Sequence, residues 1–349
     1  MKNRNPSLTF ICATLNAGKY LEDWILSIKK QDYSSQLIEI LISDGGSTDN
    51  TLEIAKKYNC RVIRNEKVLC EPGNDLGIKE AKGDLCVIMG ADNRLVEKDW
   101  IKKMIKPFKD PEIKAAFPRI RNRPQDTWLN KYINTFTDPF NHFVYGYACN
   151  PTTFYKTYKV LKKTPDYEVY DFKESNHPIL AFDQGFVLRK KGYVRPKGTE
   201  YCDQLSVIEM IKAGQKMAYV PGASNYHLTL DKGLPQFIRK QKWIISHNLM
   251  GGKPHGLAKE PFGYQARAKY ISFPRKIRQY LWPFYAISFI FPALRAIFKL
   301  VTDGEKEWLY HPFINFVSAF VFWIEVVRIK ILRKDPFEKE RAIIKGQIY

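Results

Sequence analysis

Between residues 7 and 117 short apolar runs alternate with amphipathic stretches. Leu8–Leu15, Ile38–Ser43, Arg61–Arg64 and Leu85–Met89 are brief and rich in apolar and β-branched side chains. That is the length and composition of buried strands. Tyr20–Gln31, Thr48–Tyr58, Asn74–Ala81 and Trp100–Phe108 carry apolar residues at helical spacing. Ser47 or Thr48 stands at the cap position of the second, with Asp49 in its first turn, where the helix dipole favours negative charge. Strands alternating with helices imply an α/β fold, a mainly parallel sheet covered by helices on both faces.

From Pro118 to Pro178 the rhythm fails in a stretch rich in Tyr, Phe, Asn and Pro. A long irregular segment inside a compact enzyme is usually a substrate loop or lid, so residues 118–180 are expected to form one. Periodicity returns with Gly185–Arg189 (strand), Asp203–Ala213 (helix, closed by Gly214) and Lys216–Val220 (strand). Beyond Pro235 the character changes again. Phe237–Met250 is basic and amphipathic, and two aromatic-rich apolar stretches follow, Tyr280–Leu294 and Trp308–Ile324, each flanked by Lys and Arg. Pro283, Pro292, Arg295, His311, Asn315 and Glu325 interrupt them, and a clean span needs ~20 apolar residues. Three readings stay open: a re-entrant or interfacial pair in one leaflet, a short hairpin, or a helical cap packing on the core. Tyr, Trp and flanking Lys/Arg suit the headgroup zone and favour the interfacial reading. The chain thus divides at 1–117, 118–232 and 233–349.

Charge narrows the partners. In 349 residues, Lys and Arg number 56 against 36 Asp and Glu, a formal +20. Anionic partners are expected: phosphorylated substrates or an anionic membrane surface. Nucleic acid is not, because the basic residues are spread out and no zinc finger, heptad zipper or RNA-binding aromatic signature occurs. The six cysteines (Cys12, Cys60, Cys70, Cys86, Cys149, Cys202) show no close pairing, which suits a reducing cytosolic compartment. Met1-Lys2-Asn3-Arg4 followed by Leu8–Leu15 resembles a signal peptide superficially. Thr9, Thr14 and the lack of a small-residue cleavage pattern make it a first strand.

The candidate chemistry lies where apolar runs stop at acidic turns. Ile40-Leu41-Ile42-Ser43 breaks into Asp44-Gly45-Gly46-Ser47-Thr48-Asp49; Leu85–Met89 ends at Gly90-Ala91-Asp92-Asn93; and Glu200-Tyr201-Cys202-Asp203 opens a helix. Strand ends at the carboxyl edge of an open α/β sheet are where such folds bind ligands.

These motifs, with Phe10-Ile11-Cys12-Ala13-Thr14-Leu15-Asn16, Asp75-Leu76-Gly77-Ile78 to Gly83-Asp84, and Tyr219-Val220-Pro221 leading to His227, resemble glycosyltransferase family 2 in content and order. The resemblance covers about residues 7–232. It implies a GT-A fold and an inverting transferase using a nucleotide-diphosphate sugar. Residues 1–117 would be the nucleotide-sugar half, 118–232 the acceptor-binding and catalytic half, and 233–349 a helical, membrane-associated region. Carried onto this chain, Asp203 is the catalytic base. Thr14, Asn16, Asp44, Ser47, Asp75, Ala91, Asp92 and Arg239 line the nucleotide sugar, and Asp92 with His227 binds Mg²⁺ or Mn²⁺. Two departures stand out: Gly90 replaces the first aspartate of the metal motif, and Cys202 replaces a glutamate before the base.

Each role has a structural alternative. Asp44 can accept the N3–H of uracil or an equivalent donor, or cap its own turn. Thr14 and Asn16 can line the nucleotide or simply form a turn. Asp92 suits a hard divalent cation offsetting diphosphate charge; His227 is its second ligand or a surface histidine. Asp203 can take the acceptor's proton or cap its helix. Arg239, in a Gln-x-x-Arg segment with Lys240 where processive relatives have Trp, can reach diphosphate or belong to a solvated basic face. Arg189 has the same two readings. Arg119, Arg121 and Arg123, with Trp128, Tyr132, Phe136, Phe140, Tyr145 and Tyr147, are acceptor-region candidates, although core packing is the commoner fate of aromatics.

The expectation is a metal-dependent inverting glycosyltransferase at the cytoplasmic face of the cell membrane, held peripherally, interfacially or by a short hairpin. It would move sugar from a UDP-, GDP- or dTDP-sugar to a saccharide or lipid-linked acceptor in cell-surface polysaccharide or glycoconjugate synthesis. The alternatives are a polyprenyl-phosphate sugar transferase and a non-catalytic GT-A scaffold. A nucleotidyltransferase is disfavoured, since Asn16-Ala17-Gly18-Lys19 is too sparse for its phosphate loop.

Overall fold

The computed structural model describes residues 4–149, 153–179, 182–191, 193, 195, 202–250 and 266–338. The chain forms two compact units, Met1–Arg123 with Asn150–Thr229, and Pro124–Cys149 with Leu230–Tyr349.

In chain order the elements are β1 (Leu8–Thr14), α1 (Gly18–Lys29), β2 (Ile38–Asp44), α2 (Thr51–Lys57), β3 (Arg61–Arg64), α3 (Cys70–Glu80), β4 (Leu85–Met89), β5 (Asn93–Leu95), α4 (Trp100–Ile105), β6 (Ile113–Arg121), α5 (Trp128–Phe136), α6 (Pro139–Tyr145), β7 (Val160–Lys163), β8 (Glu168–Tyr170), β9 (Gln184–Arg189), α7 (Gln204–Lys212), β10 (Lys216–His227) and α8 (Leu234–Leu249). Helices Phe273–Ile287, Ile290–Asp303 and His311–Val326 follow.

The first unit is built on one sheet of order β3-β2-β1-β4-β9-β6-β10-β8-β7, with β5 on β10. β3, β2, β1 and β4 are mutually parallel, and β10 is parallel to β6. β9 runs antiparallel between β4 and β6, so the sheet is mixed. Alternation along β1 sets the layers. Leu8, Phe10 and Cys12 share a core with Leu21 and Trp24 of α1 and with Trp100 and Met104 of α4. Ile11 and Ala13, on the opposite face, meet α3. A Cβ on Gly77 would lie 2.3 Å from Ile11 Cγ2, and one on Gly73 2.8 Å from Ala13 Cβ. Two glycines one turn apart therefore let α3 settle directly on the strand, which brings Asn74 and Asp75 to the sheet.

Several expectations need correction. The helix expected from Thr48 starts at Thr51, because Ser47 and Thr48 bond across the turn instead of capping. The rhythm does not stop at Pro118: β6 runs through it to Arg121. The missing N–H is tolerated there, since Pro118 pairs with Val220 beside the register shift between Val220 and Ser224. The expected lid is not irregular. It holds α5 and α6 in the second unit and the β7–β8 hairpin in the first. These elements are short, and α6 opens on proline, so they leave little periodicity to read.

In the second unit Tyr132 and Phe136 are fully buried with Trp308, Phe237 and Ile314. Tyr132 Oη lies 2.8 Å from His311 Nδ1, Trp128 packs on Tyr310 and Phe140 on Trp282. Tyr145 is buried, and Tyr147 bonds Asp303. These aromatics, expected to meet an acceptor, are mainly the core of their own unit.

Candidate active site

The turn after β2 is closed from both sides. Asp44 Oδ2 accepts the N–H groups of Gly46 (2.8 Å) and Ser47 (2.9 Å), and Oδ1 accepts Ser47 Oγ (2.5 Å) and Thr14 Oγ1 (3.0 Å). Burial works against this carboxylate's charge, but the donors from Ser47, Gly46 and Thr14 outweigh it and hold its pKa below the usual carboxylate range. Across the gap, Asn16 adopts φ +54°, accepts Thr48 N–H through Oδ1 (2.8 Å) and donates its own N–H to Ser47 Oγ (2.9 Å). Asp49 ties the turn to α1 and α2 through Gly18 N–H and Thr51. In this arrangement Asp44 pins the loop. A base N–H could bond it only by displacing or sharing with one of four donors.

At the end of β4, Asp92 Oδ2 stands 3.5 Å from His227 Nε2, the last residue of β10. Leu228 N–H donates to Asp92 O at 2.9 Å, which stitches the two strand ends together. His227 Nδ1 is 3.0 Å from Gln184 Nε2, which fixes the ring. Gly90 donates its N–H to Asp183 O (2.7 Å), and a Cβ there would stand 3.1 Å from Asp92 Oδ1. Glycine in place of the expected aspartate thus lets the turn close on Asp92. Arg94 holds the loop from behind, donating to the carbonyls of Ala91, Asn93 and Tyr20. A carboxylate and an imidazole facing one partly exposed niche suit a divalent cation whose other ligands are phosphate and water. Among the described residues no group of three or more His, Cys, Asp or Glu is placed to hold an ion; an ion held here would meet the Asp92 and His227 side chains.

Asp203 stands at the N-terminus of α7 but makes no side-chain cap. Its carboxylate accepts Arg195 Nη2 at Oδ1 (2.6 Å) and Asn74 Nδ2 at Oδ2 (3.3 Å). Arg195 Nε lies 3.3 Å from Asp75 Oδ1, and Lys79 pairs with Asp75 Oδ2 at 2.7 Å. Burial raises the Asp203 carboxyl above the ordinary range; Arg195 and Asn74 oppose it. Glu71, one turn before Asp75 on α3, is pushed up to about 8 by burial first and Asp203 second. Gly73 of α3 sits against Ala13 at the carboxyl end of β1, and the next residue, Asn74, bonds Asp203. Asp92 follows the carboxyl end of β4, the parallel neighbour of β1, so the two groups lie at the same sheet edge.

Thr14, Asn16, Asp44, Ser47, Asp75, Ala91, Asp92, Asp203 and His227 all fall in the first unit: Asp75 in the middle of α3, Asp203 at the start of α7, and the others on or beside the carboxyl ends of β1, β2, β4 and β10. Arg239 lies exposed on α8 of the second unit. Glu200 and Tyr201 of the third acidic turn lie outside the described residues. Arg189 is not a phosphate ligand: it donates to the carbonyls of Ile113 and Phe108 and sits over the Phe108 ring, beside the start of β4. Sequence reasoning missed Arg195, Asn74, Glu71, Gln184 and Arg94. Only Asn74 had a signal, as the neighbour of Asp75.

An open α/β sheet with carboxylates gathered at its carboxyl edge is the architecture of a GT-A-type transferase domain. Residues 9–173 match the family model described as Glycosyl transferase family 2. One relative, from Methanococcus voltae, is a dolichyl N-acetyl-α-D-glucosaminyl phosphate 3-β-D-2,3-diacetamido-2,3-dideoxy-β-D-glucuronosyltransferase; it is 28% identical over 189 residues, 52% of this chain and 57% of the relative. The abequosyltransferase RfbV of Salmonella typhimurium is 37% identical over 97 residues, 26% of this chain and 29% of that one. The chain thus spans about half the length of the first relative and less of the second. The solved mannosyltransferase PcManGT of Pyrobaculum calidifontis, in complex with GDP-Man and Mn²⁺, shares the fold with a TM-score of 0.51 and 15% identity over 95% of this chain and 88% of that one.

Proposed function

We propose that this chain is an inverting glycosyltransferase. It moves a sugar from a nucleotide-diphosphate donor to a saccharide or lipid-linked acceptor in cell-surface polysaccharide or glycoconjugate assembly, at the cytoplasmic face of the cell membrane. The observation that carries the reading is the placement of Asp203. A buried carboxylate whose pKa is raised by its surroundings, oriented by Arg195 and Asn74, lies at the sheet edge that also holds Asp92 and His227. Inversion is one in-line displacement, so the enzyme must take the acceptor hydroxyl's proton on the face opposite the diphosphate. Asp203 receives that proton on a carboxylate oxygen while Arg195 and Asn74 keep it from rotating. Asp92 and His227 would hold Mn²⁺ or Mg²⁺, which neutralises the diphosphate charge when bound. The turn pinned by Asp44, Asn16 and Ser47 shapes the wall on which the nucleotide rests, with Thr14 behind it. UDP, GDP and dTDP donors all suit such a wall. The dolichyl phosphate sugar in the name of the Methanococcus voltae relative supports a lipid-linked acceptor.

The test is nucleoside diphosphate release across a panel of nucleotide sugars, with and without Mn²⁺. Asp203→Asn is expected to fall at least ~100-fold, in the range of a lost general base, while still binding the nucleoside diphosphate. Release at the wild-type rate by folded Asp203→Asn would remove the mechanism.

A further inference from the structure

We propose that the second unit lies on an anionic bilayer and sinks an apolar elbow, the junction of helices Phe273–Ile287 and Ile290–Asp303, into one leaflet without crossing it. This deepens the membrane placement proposed above and stands apart from the chemistry.

The two helices meet at 98°. The first exposes Phe273 (73%), Ile277, Tyr280, Leu281 and Phe284, at positions i, i+4, i+7, i+8 and i+11, which is one helical face. The second exposes Ile290, Phe291, Leu294, Ile297, Phe298 and Val301 (83%) with the same rhythm. The inward faces are already used: Trp282 and Ala286 pack with Ala319, and Ala296 joins the core around Trp308. A solvated helix face is normally polar, and these are the reverse. From Gln279 to Leu294 there is no charged residue.

The apolar surface is continuous with a third helix. Phe289 meets Phe316 with ring centroids 6.2 Å apart, and Phe284 meets Trp323 at 5.8 Å. Helix His311–Val326 adds exposed Phe320 and Ile324. An exposed apolar area shared by three helices marks an interaction site. The flanking charge selects the occupant. Lys276 and Arg278 on the first arm, and Lys330, Arg333 and Lys334 beyond the third helix, are all exposed. Apolar side chains bracketed by cations match the acyl and anionic headgroup layers of a membrane surface.

The segment Lys306–Ile331 is long and apolar enough to cross a bilayer, yet its companions argue that it lies flat. His311, Asn315, Ser318 and Glu325 on its other side are buried within the unit. α8 runs alongside it: Phe237 packs with Ile314, Ser246 Oγ donates to Glu325 at 2.8 Å, and Lys330 Nζ donates to Leu249 O at 2.7 Å. α8 also exposes Arg239, Lys240 and Lys242. A crossing along this helix would carry those cations through hydrocarbon, which is strongly disfavoured.

The test is flotation of the full chain with phosphatidylglycerol/phosphatidylethanolamine vesicles and with phosphatidylcholine vesicles. Binding is expected to the anionic vesicles and to fall at least tenfold in the pair Ile290→Glu and Phe291→Glu. Leu161→Glu, at an exposed apolar residue of the first unit, should bind as wild type. External trypsin should still cut at Lys330, Arg333 and Lys334 on sealed vesicles. No flotation of the wild type at low salt would overturn the proposal. So would undiminished flotation of the Glu pair, protection of the Lys330–Lys334 end inside the vesicle, or a dimer in sedimentation that the Glu pair dissolves while vesicle binding persists. Each of these readouts is independent of sugar transfer, so their failure would leave the catalytic reading standing.

Discussion

Arg195 donates to Asp203 at 2.6 Å while its Nε stands 3.3 Å from Asp75. One cation thus holds two buried carboxylates in a fixed relation, and it enters from a segment that the motifs do not mark.

Removing this cation should cost both stability and pH range. Arg195→Ala leaves the buried Asp203 carboxylate without its cation, a loss of about 3–5 kcal/mol when one member of a buried pair is deleted. Arg195 opposes the upward push of burial on Asp203, so without it that carboxyl rises further. If Asp203 is the base, the acid limb of the kcat profile moves to higher pH, and Arg195→Lys restores part of the shift. Urea unfolding and a pH–rate profile check the two halves. An unmoved acid limb would leave Arg195 with a structural role alone.

Asp44 should behave as a turn pin. Asp44→Ala orphans the N–H groups of Gly46 and Ser47 and the Thr14 hydroxyl, and each unsatisfied buried group costs about 1–3 kcal/mol. The native carboxyl is depressed, so its charge-linked stabilisation is complete above the unfolded value of about 3.9. It is lost as pH falls below that value through the folded one. The stability gap between wild type and Asp44→Asn is therefore expected to narrow on acidification, as read by chemical denaturation from pH 7 down to pH 3.

Gln184 is expected to matter through His227. Its amide stands 3.0 Å from Nδ1; turned to present its oxygen it accepts the Nδ1–H and leaves Nε2 to face a metal, and loss of such an outer partner typically weakens a metal site 10–100-fold. Calorimetric titration of Mn²⁺ in the presence of a nucleoside diphosphate should show this for Gln184→Ala, and a larger loss for His227→Ala. Equal affinity in all three proteins would detach His227 from metal binding.

Gly77→Ala tests the seating of α3. The added methyl meets Ile11 Cγ2 at 2.3 Å, and overpacking of this kind costs about 1–3 kcal/mol. Because α3 also carries Asn74, turnover should fall along with the melting temperature. A surface change such as Lys57→Ala, by contrast, should shift stability only slightly, since it removes an ion pair exposed at both ends.

The boundaries of β3 and β4 were legible residue for residue, and those of β1 and β2 to within one position. So was the list of acidic strand ends. A buried strand announces itself through a handful of consecutive apolar side chains, and its stop through small and acidic residues directly after. β6 escaped notice because Pro118 looks like a terminator until the bulge on β10 accommodates it. Arg189 kept two readings, diphosphate ligand or solvated basic residue, because its position in the sequence says nothing about which carbonyls its guanidinium meets.

What the chain alone determined is this local alphabet: alternating strand and helix, carboxylates at the ends of β2 and β4, and an aspartate at the mouth of α7. Only the tertiary structure decided the insertion of antiparallel β9 between β4 and β6, the meeting of Arg195 with Asp75 and Asp203, and the contact of Asn74 with Asp203 across 129 residues. Those pairings depend on closing long loops against a shared core. Side-chain spacing repeats over a few residues and carries no record of which distant segment will arrive opposite.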